Sequence, residues 1–168
     1  MAMINDEILK VIQKVHELLT RKKLTVSVAE SCTGGLISHY LTALPGASAF
    51  FDAGVVSYSV ESKKRILDIS PETISNYGVV SRETAEEMSE KIRALTRTDY
   101  SISTTGNLGP DVLEGKERGL IYIAVSREGQ TYARELKLRG DRESNKKEAA
   151  LQALMFLFEV IGDDRKNI

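Results

Sequence analysis

The chain has 168 residues, of which 42% are hydrophobic and 28% charged, and its formal net charge is −1. That length suits one domain with a hydrophobic core, and the near-neutral charge does not indicate nucleic acid or an anionic membrane as the main partner. The sequence contains no apolar stretch of the ~20 residues that a membrane span needs, and its acidic N-terminus is unlike a secretory signal. A single cysteine cannot form an internal disulfide, which suits a reducing compartment. We therefore expect a soluble cytoplasmic protein.

Hydrophobic periodicity predicts helices and strands that alternate along the chain. Apolar residues spaced three and four apart predict amphipathic helices, and short runs of β-branched residues predict strands. Ser70, Ser81 and Asp141 stand where helix N-caps are expected. In chain order, the prediction is a helix at 4–23, a strand at 24–29, a helix at 34–44, a strand at 53–60, helices at 61–69, 70–78 and 81–97, strands at 99–106, 120–126 and 131–138, and a helix at 140–162.

This order predicts an α/β fold: a single domain built as a three-layer α/β/α sandwich over a mixed sheet, with the last two strands forming a hairpin. Sites in such folds lie at the carboxyl ends of strands. Two of these corners are rich in hydroxyl groups, AESCTGG at 29–35 and STTG at 103–106. They are the candidate positions for a site.

The corner at 29–35 has two explanations that its spacing alone does not separate. Its glycines permit a sharp turn with outward backbone N–H groups, which favour a phosphate or an oxyanion at a helix start. Equally, Ser31 or Thr33 can simply cap the following helix. The spacing matches neither a Walker phosphate loop nor the nucleophile elbow of hydrolases.

A serine nucleophile at this corner would need a base. The chain has only two histidines, His16 and His39, and neither is suitably placed in the predicted elements. Lys63, with Tyr58 nearby, can serve if burial lowers the lysine pKa, although a solvated helix lysine is the simpler explanation of these residues alone. One cysteine and two scattered histidines give no cluster with zinc-like spacing.

The start of the last predicted helix, GDRESNKK at 140–147, is a second candidate anion site. Arg142, Lys146 and the first N–H groups of the helix can together hold an anion. A solvated basic face explains the same residues without a ligand.

Several ordered motifs, taken together, resemble one family. The run AESCTGG followed by PGAS and then by GVVSYS is the most specific of them. From about residue 8 to residue 161 the chain resembles the CinA C-terminal domain family, of the PncC type, a nicotinamide mononucleotide (NMN) amidohydrolase, in its standalone form. The motifs that carry the resemblance are VAESCTGGLIS, LPGASAFFDAGVVSYS, K..ILDIS, GVVSRETAEEMSE, STTGNLGP and LRGDRE.

The resemblance implies a three-layer α/β fold and hydrolysis of the NMN carboxamide to nicotinic acid mononucleotide and ammonia, a step of pyridine nucleotide salvage. It implies no metal and no organic cofactor. The catalytic serine falls on Ser31, and Lys63 is its base, acting through or beside Tyr58. The residues implied to bind the small-molecule nucleotide substrate are Cys32, Thr33, Gly34, Gly35, Thr105, Gly106 and Arg142.

The resemblance also suggests a role for each part of the site. Backbone N–H groups at 32–34 would stabilise the oxyanion, Thr105 would orient the carboxamide or the ribose, and Arg142 would help to hold the phosphate. Family members often self-associate, which implies a homo-oligomer, and neither nucleic acid nor a membrane is an expected partner.

The chain departs from the family pattern in its substrate-facing loops. In the segment NLGPDVLEG at 107–115, the glycine run that the family usually has after Pro110 is replaced by DVLEG at 111–115, which adds bulk and two acids. Val60 stands where the family has an asparagine, and Lys146 where an arginine is common. These departures motivate an alternative function, a catalytically altered member that binds a nucleotide or a protein. A third hypothesis is redox control through Cys32, because a thiol at a helix N-terminus can have a lowered pKa.

Overall fold

The structure is a computed structural model that describes residues 4–164. Its helices are α1 (Asp6–Lys22), α2 (Leu36–Leu41), α3 (Val60–Leu67), α4 (Pro71–Tyr77), α5 (Arg82–Thr96) and α6 (Arg142–Asp163), with a 3-10 turn at Ala47–Ala49. Its strands are β1 (Val26–Glu30), β2 (Phe51–Val56), β3 (Tyr100–Gly106), β4 (Leu120–Arg127) and β5 (Gln130–Lys137). The predicted order of elements is confirmed. The predicted caps Ser70, Ser81 and Asp141 each accept N–H groups from the first turn of their helix.

The strands form one mixed sheet in the order β2-β1-β3-β4-β5. β1 is parallel to β2 and β3, whereas β4 is antiparallel to both β3 and β5. Helices α1, α2 and α6 pack on one face of the sheet, and α3, α4 and α5 pack on the other. The predicted fold class, a three-layer α/β sandwich, is confirmed.

Parallel pairing brings the carboxyl ends of three strands to one edge of the sheet. Ser31, directly after β1, donates its N–H to the carbonyl of Thr104 in β3 at 3.0 Å. Ser57, directly after β2, donates its N–H to the carbonyl of Glu30 at 2.9 Å. The two hydroxyl-rich corners and the end of β2 therefore meet at one place.

The second strand ends at Val56 rather than at the predicted Val60, which is instead the first residue of α3. Ser59 and Ser62 form a capping box, in which each side chain bonds the backbone of the other at 3.0 and 3.1 Å. This local pair of hydrogen bonds starts the helix and overrides the strand preference of the β-branched Val60. As a result, Lys63 lies in the first turns of a helix that begins at the edge where the corners meet.

A buried carboxylate holds the corner that follows β1. Glu30 is fully buried, and its side chain accepts hydrogen bonds from the Thr33 hydroxyl at 2.6 Å and from the Ile37 N–H at 2.9 Å. It also accepts from the N–H and the hydroxyl of Ser38, at 3.1 and 2.8 Å. The N-cap of α2, Gly35, has no side chain to serve this purpose. Glu30 thus satisfies the first N–H groups of α2 from beneath the corner.

We predict that Glu30→Ala lowers the free energy of unfolding by about 3 kcal/mol, because it leaves buried donors of the corner without an acceptor. Urea denaturation followed by circular dichroism measures the loss. Glu128→Ala is the matched control, since Glu128 is exposed in the turn between β4 and β5, and it should change stability by less than about 0.5 kcal/mol. Equal losses in the two variants would contradict this role of Glu30.

Candidate active site

Ser31 and Lys63 form a buried pair at the carboxyl edge of the sheet. Ser31 is 7% exposed and Lys63 only 2%. The Lys63 Nζ lies 2.8 Å from the Ser31 Oγ, although the two residues are 32 positions apart in the chain. At this distance a neutral lysine amine can accept the serine proton directly.

The surroundings of Lys63 favour its neutral form. Burial lowers the pKa of Lys63 to about 8. The main-chain carbonyls of Ser57 and Tyr58 accept hydrogen bonds from its Nζ at 2.8 and 3.2 Å. A neutral amine has two N–H groups, which the two carbonyls can accept, and its lone pair then faces the Ser31 hydroxyl. The arrangement therefore suits a base that acts on a serine.

The pair opens into a cavity of about 240 Å³. Ser31, Lys63 and Thr105 are among the polar residues that line the cavity. Its apolar surface comes from Val60, Val79, Val80 and Leu113, and Tyr58 and Gly106 also line it. A few polar groups in a largely apolar pocket are the usual arrangement of a small-molecule site.

A second cavity, of about 410 Å³, lies by the amino-terminal end of β3. Arg93, Arg127 and Asp164 are among its lining residues, and Arg127 pairs with Asp164 at 3.0 Å. This lining contains an ion pair and an arginine, Arg93, that donates to the main-chain carbonyl of Asp99, rather than a nucleophile beside a base. We therefore assign the site by its chemistry and not by cavity size.

Thr105 lines the cavity, and its hydroxyl proton already takes part in an internal hydrogen bond. Its side chain is 2% exposed, and its hydroxyl donates to the carbonyl of Val79 at 2.6 Å. The oxygen can then only accept a hydrogen bond from a ligand. Its neighbour Gly106 is required by packing, because a Cβ there would lie 2.6 Å from the carbonyl of Leu120 in β4.

Tyr58 and Arg142 meet at the rim of the cavity. Tyr58 is 59% exposed, and its hydroxyl accepts a hydrogen bond from Arg142 at 2.8 Å. A second guanidinium nitrogen of Arg142 donates to the carbonyl of Gly109 at 2.7 Å. Tyr58 contacts the Lys63 amine through its main-chain carbonyl. The proton relay through the Tyr58 hydroxyl and the phosphate contact of Arg142 stay predictions.

The side chains of Cys32 and Thr33 support the corner from inside. Cys32 is 5% exposed, and burial raises the pKa of its thiol to about 12. The Thr33 hydroxyl is fully buried between Glu30 and Thr104, at 2.6 and 2.7 Å. A buried protonated thiol is inert towards oxidants, so the basis of the redox hypothesis, a lowered thiol pKa, is absent here.

Gly34 and Gly35 both have positive φ angles, of 60° and 101°, which glycine adopts without strain. The N–H of Gly34 donates to the carbonyl of Ser31 at 3.1 Å and so closes the turn. A Cβ at Gly34 would lie 3.3 Å from the Nζ of Lys146, which places a positive charge over the corner. This is where an anionic part of a ligand would be attracted.

Three parts of the site were not predicted from the sequence. They are the Glu30 carboxylate, the carbonyls of Ser57 and Tyr58, and the apolar segment Val79–Val80. An acid that ends an apolar strand is a detectable signal for Glu30. The carbonyls and the valines carry no such signal, because their contribution depends on how separate segments pack.

Within residues 4–164 there is no group of His, Cys, Asp and Glu side chains that could hold a metal ion. Within the same residues, no helix is long and apolar enough to cross a membrane.

Comparison with known proteins identifies the family. A sequence model of the CinA C-terminal domain matches residues 8–161. The chain belongs to the CinA family. The chain is 45% identical over 141 residues to a relative from Thermoanaerobacter pseudethanolicus whose name refers to competence and damage induction. This match covers 83% of the chain and 34% of the relative. It is 41% identical over 143 residues to a CinA-like protein of Shewanella amazonensis, covering 84% of the chain and 34% of that protein. The chain thus spans about a third of the length of these curated relatives.

Solved structures of CinA proteins share the fold. The competence or damage-inducible protein from Enterobacter asburiae is 33% identical with a TM-score of 0.90, over 94% of this CinA chain and 99% of that one. The CihA protein from Agrobacterium tumefaciens is 31% identical with a TM-score of 0.90, over 95% and 98% of the two chains. The resemblance inferred from the motifs is confirmed at the level of family and fold.

We predict that Cys32, the single cysteine of the chain, does not react with a thiol reagent such as dithionitrobenzoate in the native protein, because its thiol is buried and protonated. Absorbance should report one thiol per chain only after denaturant is added. Rapid modification of the native protein would contradict the burial of Cys32 and would revive the redox hypothesis.

Proposed function

We propose that this CinA-family chain hydrolyses the carboxamide of NMN to nicotinic acid mononucleotide and ammonia, with Ser31 as nucleophile and Lys63 as base. The observation that carries the proposal is the 2.8 Å contact between the buried Lys63 amine and the Ser31 hydroxyl beside a cavity. Family membership supports the fold and the motif positions, while NMN as substrate comes from the resemblance of the motifs. A cytoplasmic homo-oligomer belongs to the same proposal.

In the first half of the reaction, neutral Lys63 accepts the Ser31 proton as the serine oxygen attacks the carboxamide carbon. The resulting oxyanion is stabilised by the backbone N–H groups of Cys32 and Thr33, because the Gly34 N–H already donates to the Ser31 carbonyl. The ammonium of Lys63 then returns its proton to the amide nitrogen, which leaves as ammonia, and an ester to Ser31 remains.

In the second half, Lys63 is neutral again and removes a proton from water. The hydroxide attacks the ester carbon, and the Ser31 oxygen leaves and regains its proton from Lys63. Each step uses only water and groups of the chain. Over the whole reaction, one amide and one water molecule are consumed, and one carboxylic acid and one ammonia are released.

Contacts around the pair suit an amide substrate. Because the Thr105 hydroxyl donates to Val79, its oxygen can accept an N–H of the carboxamide, which an ester or an acid anion lacks. Arg142 stands at the rim beside Tyr58, and Lys146 stands over Gly34, so both are candidates to attract the phosphate. The proposed substrate thus places its amide inward and its phosphate towards solvent.

We predict that the purified chain releases ammonia from NMN and that Ser31→Ala lowers kcat by about a thousandfold or more, because no nucleophile remains. A coupled ammonia assay measures the rate, and calorimetry with NMN tests whether the variant still binds. Equal rates in the two proteins would rule out Ser31 as nucleophile. Tight binding of NMN by the wild type without ammonia release would instead support the alternative function, a nucleotide-binding module.

We predict that kcat/KM for NMN rises about tenfold per pH unit up to about pH 8 and levels off above it. The lowered pKa of Lys63 sets the direction: below it the amine is protonated and cannot act as a base, and above it the amine is neutral. Lys64→Met is the matched control, since Lys64 lies beside Lys63 on α3, is half-exposed and pairs with Glu61 at 3.8 Å. Lys63→Met should abolish the reaction, whereas Lys64→Met should keep the profile. A rate that falls as the pH rises towards 8 would contradict the role of Lys63.

A further inference from the structure

The amine of Lys63 folds back over the start of its own helix. Lys63 is the fourth residue of α3, yet its Nζ donates to the carbonyls of Ser57 and Tyr58, which precede that helix. The amine therefore lies at the amino end of α3, where the helix dipole is positive and disfavours an ammonium. The position of the base thus depends on how the first turn of α3 is held.

Ser59 holds that turn through its N–H, its carbonyl and its hydroxyl. The hydroxyl accepts the N–H of Ser62 at 3.0 Å, and the N–H donates to the hydroxyl of Ser62 at 3.1 Å. The carbonyl accepts the Ser62 hydroxyl at 2.9 Å and the N–H of Lys63 at 3.1 Å. Ser59 is thus the residue at which the chain after β2 turns into the helix that carries the base.

The amino end of α3 depends on this cap. The helix has eight residues, of which Lys63 and Leu67 are buried. Its carboxyl end is anchored by Leu67 in an apolar cluster and by Asp68, whose carboxylate accepts a hydrogen bond from Lys91 of α5 at 2.9 Å. A helix this short is unstable by itself, so the capping box decides whether its first turn stays closed.

A closed first turn matters because exclusion of water is what disfavours the charged amine. Carbonyl oxygens such as those of Ser57 and Tyr58 favour an ammonium, whereas burial favours the neutral form. Burial is the dominant effect on Lys63, which is 2% exposed, and it lowers the pKa of the amine to about 8. Water that entered beneath an open first turn would return the amine towards its ordinary, protonated form.

The groups around the amine supply no strong charge that could replace burial as the cause. Cys32, on the corner after β1, has a protonated thiol because burial raises its pKa to about 12. On α3 itself, Glu61 is exposed and pairs with Lys64 at 3.8 Å. The residues of β3 and of the segment between α4 and α5 that line the same cavity are uncharged. Among the residues that the structure describes, no carboxylate accepts a hydrogen bond from the Lys63 amine.

We propose that Ser59 is a positioning residue for the base: its capping of α3 keeps the first turn closed over the Lys63 amine, excludes water and so keeps the amine neutral beside Ser31. The inference rests on the proposed role of Lys63 as a base, but it concerns the amine before any substrate binds. Ser59 also lines the cavity, so contact with a ligand is the competing role. A measurement on the ligand-free protein separates the two roles.

The first test titrates the Lys63 amine in the ligand-free full chain through the ¹³Cε chemical shifts of labelled lysines, with Lys63→Met to identify its signal. In Ser59→Ala the midpoint should lie about one pH unit above that of the wild type, because water then reaches the amine. Ser59→Thr keeps the hydroxyl and should keep the wild-type midpoint. An unchanged midpoint in Ser59→Ala overturns the proposal.

Ser70→Ala is the matched control for the loss of a cap. Ser70 caps α4, and its hydroxyl accepts the N–H of Glu72 at 3.2 Å, but α4 contributes no residue to the cavity. Both alanine variants should lower the urea midpoint by a similar amount, whereas only Ser59→Ala should shift the amine titration. Equal shifts in the two variants would trace the effect to stability alone and refute the positioning role.

Ser62→Ala removes the other half of the capping box and carries the test if Ser59→Ala does not fold. The Ser62 hydroxyl bonds both the N–H and the carbonyl of Ser59, so its loss should shift the amine midpoint in the same upward direction. A folded Ser62→Ala variant with the wild-type midpoint would refute a role of the capping box in keeping the amine neutral.

Turnover links the amine to the proposed reaction. The pH at which kcat/KM for NMN levels off should rise in Ser59→Ala by the same interval as the amine midpoint. A shifted amine midpoint without ammonia release from NMN would leave the role of Ser59 standing and remove the proposed reaction. Ammonia release from NMN with an unshifted midpoint in Ser59→Ala would support the reaction and refute the positioning role.

Discussion

The carboxylate of Glu30 is the interaction on which the candidate site depends. It is buried at the end of β1 and accepts hydrogen bonds from Thr33, Ile37 and Ser38. A glycine-rich corner has little intrinsic preference for one conformation, so it needs an external constraint to hold a serine at a defined position. Here the constraint is the set of hydrogen bonds that the buried Glu30 carboxylate accepts. None of these bonds involves the Ser31 hydroxyl, which is free to face the cavity.

The second constraint is the environment of Lys63. An amine buried among neutral carbonyls loses hydration, and its charged form is disfavoured, so its pKa falls to about 8. A carboxylate partner would have had the opposite effect and would have kept the amine protonated. In the proposed mechanism, burial thus lets Lys63 take the place that an imidazole has in a triad, and the two carbonyls orient its amine towards Ser31.

Much of the fold could be predicted because its signals are local. Helical periodicity, β-branched runs and the caps Ser70, Ser81 and Asp141 depend on residues within one or two turns, and they gave the element order and the fold class. The predicted end of β2, Val60, lies four residues beyond its actual end at Val56. The reason is that the capping box of Ser59 and Ser62 outweighed the strand preference of Val60. That competition is also local, but periodicity alone does not show it.

The sequence by itself determined the element order, the α/β class and, through its ordered motifs, the family and the candidates Ser31 and Lys63. Only the tertiary structure decided that these two side chains lie 2.8 Å apart, because they come from segments 32 positions apart that parallel pairing brings to one edge. It also decided that the acid of the NLGPDVLEG loop, Glu114, faces the backbone of Val79 while Leu113 faces the cavity. The physical reason is that burial, the pKa of a lysine and the direction of a loop side chain depend on contacts between distant segments, which no local pattern records.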